Sequence, residues 1–205
     1  MGFRTMIWSG LLVGAVTLSV VDVAACPMPR RSMGVMTLAQ RVDRAEKLLA
    51  QGKPVAALKM ARAVLDTPKQ DPTLSYFSPP LKPADRQRAS RIAGLAAWQL
   101  GDVNGTLSYL QDADTTPTVK ETRAAALLAL GRLAEARAEL QPLIASESLS
   151  PQGMVTLARL ELAEGSPDAA ERTVRQVLAR RPKHQEARKV LGELERSRAA
   201  VRVNG

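Results

Sequence analysis

The chain has 205 residues, of which 45% are hydrophobic and 3% aromatic, with one cysteine and a formal net charge of +9. Such a chain suits a single domain with an aliphatic, alanine-rich core, and a lone cysteine excludes an intramolecular disulfide framework. Beyond the N-terminus no apolar run approaches the roughly 20 residues that span a bilayer, which excludes a multi-spanning protein.

Residues 1–25, MGFRTMIWSGLLVGAVTLSVVDVAA, have the layout of a secretory signal: Arg4, an apolar stretch from Met6 to Val21, then small residues at Val23-Ala24-Ala25. Cys26 follows immediately. A lone thiol in an oxidising compartment needs a role, and Val23-Ala24-Ala25-Cys26 resembles a bacterial lipobox. What that resemblance implies is diacylglycerol on the Cys26 sulfur and cleavage just before it. Val23 departs from the usual leucine, and Asp22 is a polar intrusion. Plain cleavage and an uncleaved anchor are the two alternatives. All three place the domain outside a bacterial cytoplasm, in the periplasm, with acylation also fixing it to a membrane. Residues 26–36 then form the lipidated cysteine and a short tether containing Pro27 and Pro29.

A helical domain is expected over residues 37–200. Gly52, Gly101, Gly131 and Gly165 each end one helical apolar pattern and precede another, at spacings of 49, 30 and 34 residues. The flanking registers agree. Small residues stand seven before (Ala45, Gly94, Ala124, Ala158) and five after (Ala57, Thr106, Ala136, Ala170). Mostly larger residues stand three before (Leu49, Trp98, Leu128, Leu162), nine after (Ala61, Leu110, Leu140, Val174) and twelve after (Val64, Ala113, Leu143, Val177). This is the pattern of a repeated helical hairpin. Small columns let two antiparallel helices approach, larger ones fill the gaps between hairpins, and the glycine supplies the positive φ that ends the first helix. Start signals agree: Ser166-Pro167, Ser150-Pro151 and Thr116-Pro117 pair a capping residue with proline at the first helical position.

Between the first two hairpins lies a proline-rich insertion, 66–86, with five prolines between Thr67 and Asp85. Continuous helix is excluded there, and Asp85 is expected to cap the next helix. Tyr76 and Phe77 are adjacent aromatics in an aromatic-poor chain, placed either to meet a partner or to plug a hairpin edge. Pro80-Leu81-Lys82-Pro83 fits a short polyproline pattern. After Pro182, His184 starts one more amphipathic helix. Its Val190, Leu191 and Leu194 cover the last hairpin, while Glu186, Arg188, Lys189, Glu193, Arg196 and Arg198 face water. Residues 201–205 are expected to be a disordered tail.

These registers resemble the tetratricopeptide repeat family over about Leu38 to Leu178, with Pro182 where that family places its closing proline. The resemblance implies an all-α, right-handed α-solenoid of about four hairpins plus a C-terminal capping helix. It further implies a concave groove, lined by the first helix of each pair, that binds a protein or peptide. Matching register puts Arg88, Arg91, Leu95, Trp98, Gln99, Glu121 and Arg159 in that groove. Trp98 is the best single anchor, with core packing as the equal alternative. The family's carboxylate-clamp version needs asparagines where Leu95 and Ala125 stand, so that mode is not expected. Arg41 and Arg44 stand where the first repeat would carry apolar residues.

Motifs for chemistry are missing from the sequence. There is no phosphate-binding glycine loop, no HExxH and no paired cysteine, and His184 is the sole histidine. No enzyme activity, cofactor or metal is expected. From Glu171 to Gly205 ten Lys and Arg face four Asp and Glu, so a basic C-terminal end is available to an anionic surface. No aromatic-interleaved basic motif points to nucleic acid. The functional expectation is a lipid-anchored periplasmic adaptor that assists assembly, localisation or stability of an envelope complex. An accessory subunit of a membrane-bound periplasmic enzyme complex is the alternative, as is a binder of anionic lipid or cell-wall polymer. Cys26→Ser is expected to release the protein from the membrane fraction on cell fractionation; a wild type already found in the soluble fraction contradicts acylation.

Overall fold

The computed structural model describes residues 36–67 and 81–204, and every regular element among them is a helix. Four hairpins follow one another: α1 (Leu38–Ala50) with α2 (Pro54–Leu65), α3 (Pro83–Gln99) with α4 (Val103–Gln111), α5 (Pro117–Ala129) with α6 (Leu133–Ala145), and α7 (Pro151–Ala163) with α8 (Pro167–Arg180). A last helix, α9 (Gln185–Asn204), packs on the fourth hairpin. The fold is therefore the expected all-α stack of TPR-like hairpins with a terminal helix. The signal segment, the tether, Cys26, Tyr76 and Phe77 lie outside the described residues.

All four anchor glycines have positive φ, Gly131 at 73°. At that turn Gly131 N–H donates to the Leu128 carbonyl at 3.0 Å and Arg132 N–H to the Leu127 carbonyl at 2.9 Å. This pair of bonds is a Schellman cap, satisfying two carbonyls that the helix end leaves open. The same two bonds recur at Gly52, Gly101 and Gly165. A Cβ at Gly131 would meet nothing within 4 Å, so backbone conformation and not space requires glycine there. Between α6 and α7 the same bonding pattern is made with Glu147 in the left-handed position, at φ 50°.

The two ends of a hairpin are capped differently. Thr37, Thr116 and Ser150 cap α1, α5 and α7 through their side chains, with Gln40 completing a capping box at Thr37. The second helices start straight from the glycine turn, and the residues before α2, α6 and α8 make no side-chain cap. Ser166 stands at the expected N-cap position, but its hydroxyl does not cap. Asp102, before α4, does, accepting from Gly105 N–H at 2.8 Å.

The small columns are fully buried: Ala45, Ala124 and Ala158 on first helices and Ala57, Thr106, Ala136 and Ala170 on second helices. Thr106 satisfies its hydroxyl by donating to the Asp102 carbonyl at 2.7 Å. Gly94 takes the alanine position of α3 because a Cβ there would strike the Leu110 side chain. Leu110, Leu140 and Val174 are buried as expected, each of the leucines representing roughly 1.5–3 kcal/mol of apolar transfer. Each second helix also packs on the first helix of the next hairpin, and successive first helices touch one another. One face is thus built from α1, α3, α5, α7 and α9.

Two boundaries differ from expectation, and with them the roles of Asp85 and Leu81. α3 begins at Pro83, so the end of the 66–86 insertion is already helical; Lys82 is its N-cap, and Asp85 sits in the first turn instead of capping. Leu81, part of the polyproline pattern, packs on the core formed by the first hairpin and α3. α9 runs to Asn204 through the expected tail, because Arg-Ala-Ala-Val-Arg-Val offers neither glycine nor proline to stop it. The cap works as expected: Ala187, Val190 and Leu194 are buried and Leu191 is half-buried, while His184 Nδ1 accepts from Ala187 N–H at 3.2 Å.

Gly131→Ala is expected to destabilise the domain by about 1–2 kcal/mol through left-handed strain. Gly192→Ala, inside α9 with open space at its Cβ position, is expected to stabilise it by about 0.5–1 kcal/mol. Urea midpoints at unchanged slope measure both.

Candidate functional site

The face made by the first helices holds a groove of about 950 Å³. Its apolar wall has a simple origin. Leu49, Trp98, Leu128 and Leu162, one from each hairpin and each three residues before the turn glycine, all line it. They lie one helical turn beyond the buried alanine column, on the same stripe of the helix. Each is half-buried: Leu49, Leu128 and Leu162 pack against the core as expected of this column, and the whole column also forms a ladder along the groove. Leu95 lies beside Trp98 on α3, and Gln99 and Ala129 are exposed at the edge.

The charged residues expected in the groove are mostly engaged within the chain. Arg88 and Arg91 do not line it. Arg88 pairs with Glu46 at 2.6 Å, Asp43 at 3.0 Å and Asp85 at 3.3 Å, joining α3 to α1. Contact with Glu46 raises its pKa further above the ordinary arginine value. Arg91 pairs with Glu46 at 3.2 Å and, more closely, with Asp114 in the loop before α5. Arg159 lines the groove but pairs with Glu186 of α9 at 2.7 Å.

Glu121 has a structural task that the sequence reading missed. Its Oε1 accepts from Ser150 N–H at 2.7 Å and its Oε2 from the Ser150 hydroxyl at 2.6 Å. The same hydroxyl accepts from Gly153 N–H at 3.0 Å. Glu121 on α5 thus completes the cap of α7 in the following hairpin. A Cβ at Gly153 would collide with this carboxylate, so glycine admits it. Arg91 and Glu121 occupy the same register, ten residues before their turn glycines, and both reach forward to the next hairpin's entry loop with opposite charge. The pairing of Glu121 with an N-cap serine and a glycine in the first turn of α7 was the available signal. Away from the groove, burial raises the pKa of Glu161, which accepts from the Thr173 hydroxyl at 2.9 Å.

With Glu121 and Arg159 committed to internal pairs and Arg88 and Arg91 outside it, the groove's large apolar side chains are Leu49, Leu95, Trp98, Leu128 and Leu162. Residues 127–194, the last turn of α5 through the first half of α9, match the tetratricopeptide repeat family model. That family's repeats generally mediate protein–protein interaction, and the class that the fold defines is a helical-hairpin repeat protein with a TPR-like stack. Two crystal structures of nearly identical TPR-like repeats, named for a Podosopora anserina kinesin light chain, are similar at 16% identity over 80% of this chain and 96% of theirs, with TM-scores of 0.49 and 0.48. No curated protein matches.

Glu121→Ala is expected to lower stability by about 1–3 kcal/mol through the unsatisfied Ser150 amide. Gly153→Ala should destabilise the wild type yet be neutral or stabilising in the Glu121→Ala background. A double-mutant cycle on urea midpoints checks this; equal effects in both backgrounds would remove the latch from the account.

Proposed function

We propose that the chain is a non-catalytic adaptor of the bacterial cell envelope, held at a membrane through acylated Cys26, that binds the apolar face of a protein segment along its groove. The observation that carries the reading is the ladder Leu49, Trp98, Leu128 and Leu162, open on one face while neighbouring charges are paired internally. A half-exposed tryptophan among leucines is the kind of surface that anchors an amphipathic helix or extended segment. The N-terminal layout supports the envelope setting. Such an adaptor would hold components of an envelope complex together, localise them or stabilise them.

The test is affinity purification from membranes with wild type, Trp98→Ala and Ala129→Glu. The last variant adds a charge at an exposed position lining the groove without removing core packing. Both variants are expected to keep wild-type helicity and lose the same co-purified protein, weakened by about 2 kcal/mol or more at a hot spot. Unchanged recovery with both removes the groove from consideration.

A further inference from the structure

The groove leaves one strongly charged feature unused. Between Pro167 and Lys189 the chain has seven Lys and Arg against three Asp and Glu, whereas residues 101–166 have five against nine. This corner is therefore basic next to an acidic middle, in a chain whose residues 36–100 are basic as well. α8 buries Ala170, Val174 and Val177 against its neighbours. Its opposite stripe, Arg172, Arg175, Gln176, Ala179 and Arg180, is exposed at helical spacing. The stripe runs into the turn before α9, where Arg181 and Lys183 are also exposed. Arg188 folds back on that turn, donating from Nε to the Pro182 carbonyl at 2.8 Å. Arg175 pairs with Glu171 and Lys189 with Glu186. Arg180, Arg181 and Lys183 make no ion pair among the described residues.

We infer that this corner docks on an anionic phospholipid surface. The cations are spread along an exposed helix stripe and the turn after it, not gathered at one point. No Phe, Trp or Tyr occurs after Tyr109, so nothing here offers a stacking platform for bases. Dispersed, exposed cations, with Arg180, Arg181 and Lys183 outside any ion pair among the described residues, match the diffuse negative potential of a bilayer, where each contributes independently within a Debye length. The stripe lies on a second helix, whereas the groove is built from first helices, so the contact leaves the groove open.

The experiment places an environment-sensitive dye on the full chain carrying Cys26→Ser and Ala179→Cys, so that the signal comes from the stripe and not from the N-terminus. Emission is expected to shift with vesicles holding about 30% phosphatidylglycerol in phosphatidylcholine, to stay unchanged with phosphatidylcholine alone, and to revert near 0.5 M NaCl. Arg180→Gln, Arg181→Gln and Lys183→Gln together should weaken the apparent partitioning at least about tenfold. An equal response to neutral vesicles, or a triple variant that behaves like its parent, overturns the inference. A response to soluble polyphosphate without one to vesicles overturns it too, assigning the corner to an anionic polymer.

Discussion

The constraint on which the structure depends is the left-handed residue that closes each first helix. A Schellman cap fixes the direction in which the chain leaves the helix, and both helices of the pair are then locked in register. With that register set, the residue seven before the glycine and the one five after it face the hairpin interior. Both must be small for the helices to approach, and every one of them is buried. The larger residues nine after the turn then become the interlocking layer. The spacing between consecutive glycines varies from 30 to 49 residues, yet the local registers hold. Each hairpin is a local unit, and extra length between hairpins is accommodated outside it.

Capping follows the same division of labour. Inside a hairpin the backbone satisfies its own helix end, so most second helices start without a capping side chain. At the entry of first helices the chain has no such device, and Thr37, Thr116 and Ser150 supply oxygens at three of the four, Lys82 before α3 being the exception. At α7 this is reinforced from the preceding hairpin, where Glu121 holds Ser150 through both carboxylate oxygens. Arg91 does the corresponding work one hairpin earlier by reaching Asp114. Links of this kind set how one hairpin sits on the next, which apolar packing alone defines only loosely.

Most of the fold was legible because its determinants are local. A glycine with fixed neighbours at fixed offsets is a one-dimensional signal, and proline after serine or threonine marks a helix start. Boundaries such as Pro83 and Asn204 were less legible. Helix propensity carries a chain on until something stops it, and sequence composition marks loops only approximately. The site was read in part. Trp98, Leu95 and Gln99 lie along the groove, whereas Arg88 and Arg91 do not, and Glu121 and Arg159 line it while bonded elsewhere. Register says which way a side chain leaves its helix, but not which partner 20 to 50 residues away will claim its charge. Apart from Asp85 on the same helix, the partners of Arg88, Arg91 and Glu121 lie on other helices or in loops, and only the stacked structure brings them within reach.

That internal claim on charge has a consequence for recognition. Ion pairs at half-exposed positions contribute modestly to stability, but each removes a long polar side chain from the surface available to a ligand. Once Glu46, Asp114, Ser150 and Glu186 have taken their partners, the groove presents a ladder of leucines and one tryptophan beside uncharged polar residues such as Gln99 and Gln152, and apolar contact carries much of what it can recognise. Arg180, Arg181 and Lys183, which make no ion pair among the described residues, lie on a different surface, the end of the outer stripe of α8 and the turn after it. Two chemistries that would compete if mixed, desolvation of apolar groups and long-range attraction of anions, are thereby kept on different helices. An anion drawn to the outer stripe need not disturb the groove, and an apolar segment in the groove need not bury an unpaired charge.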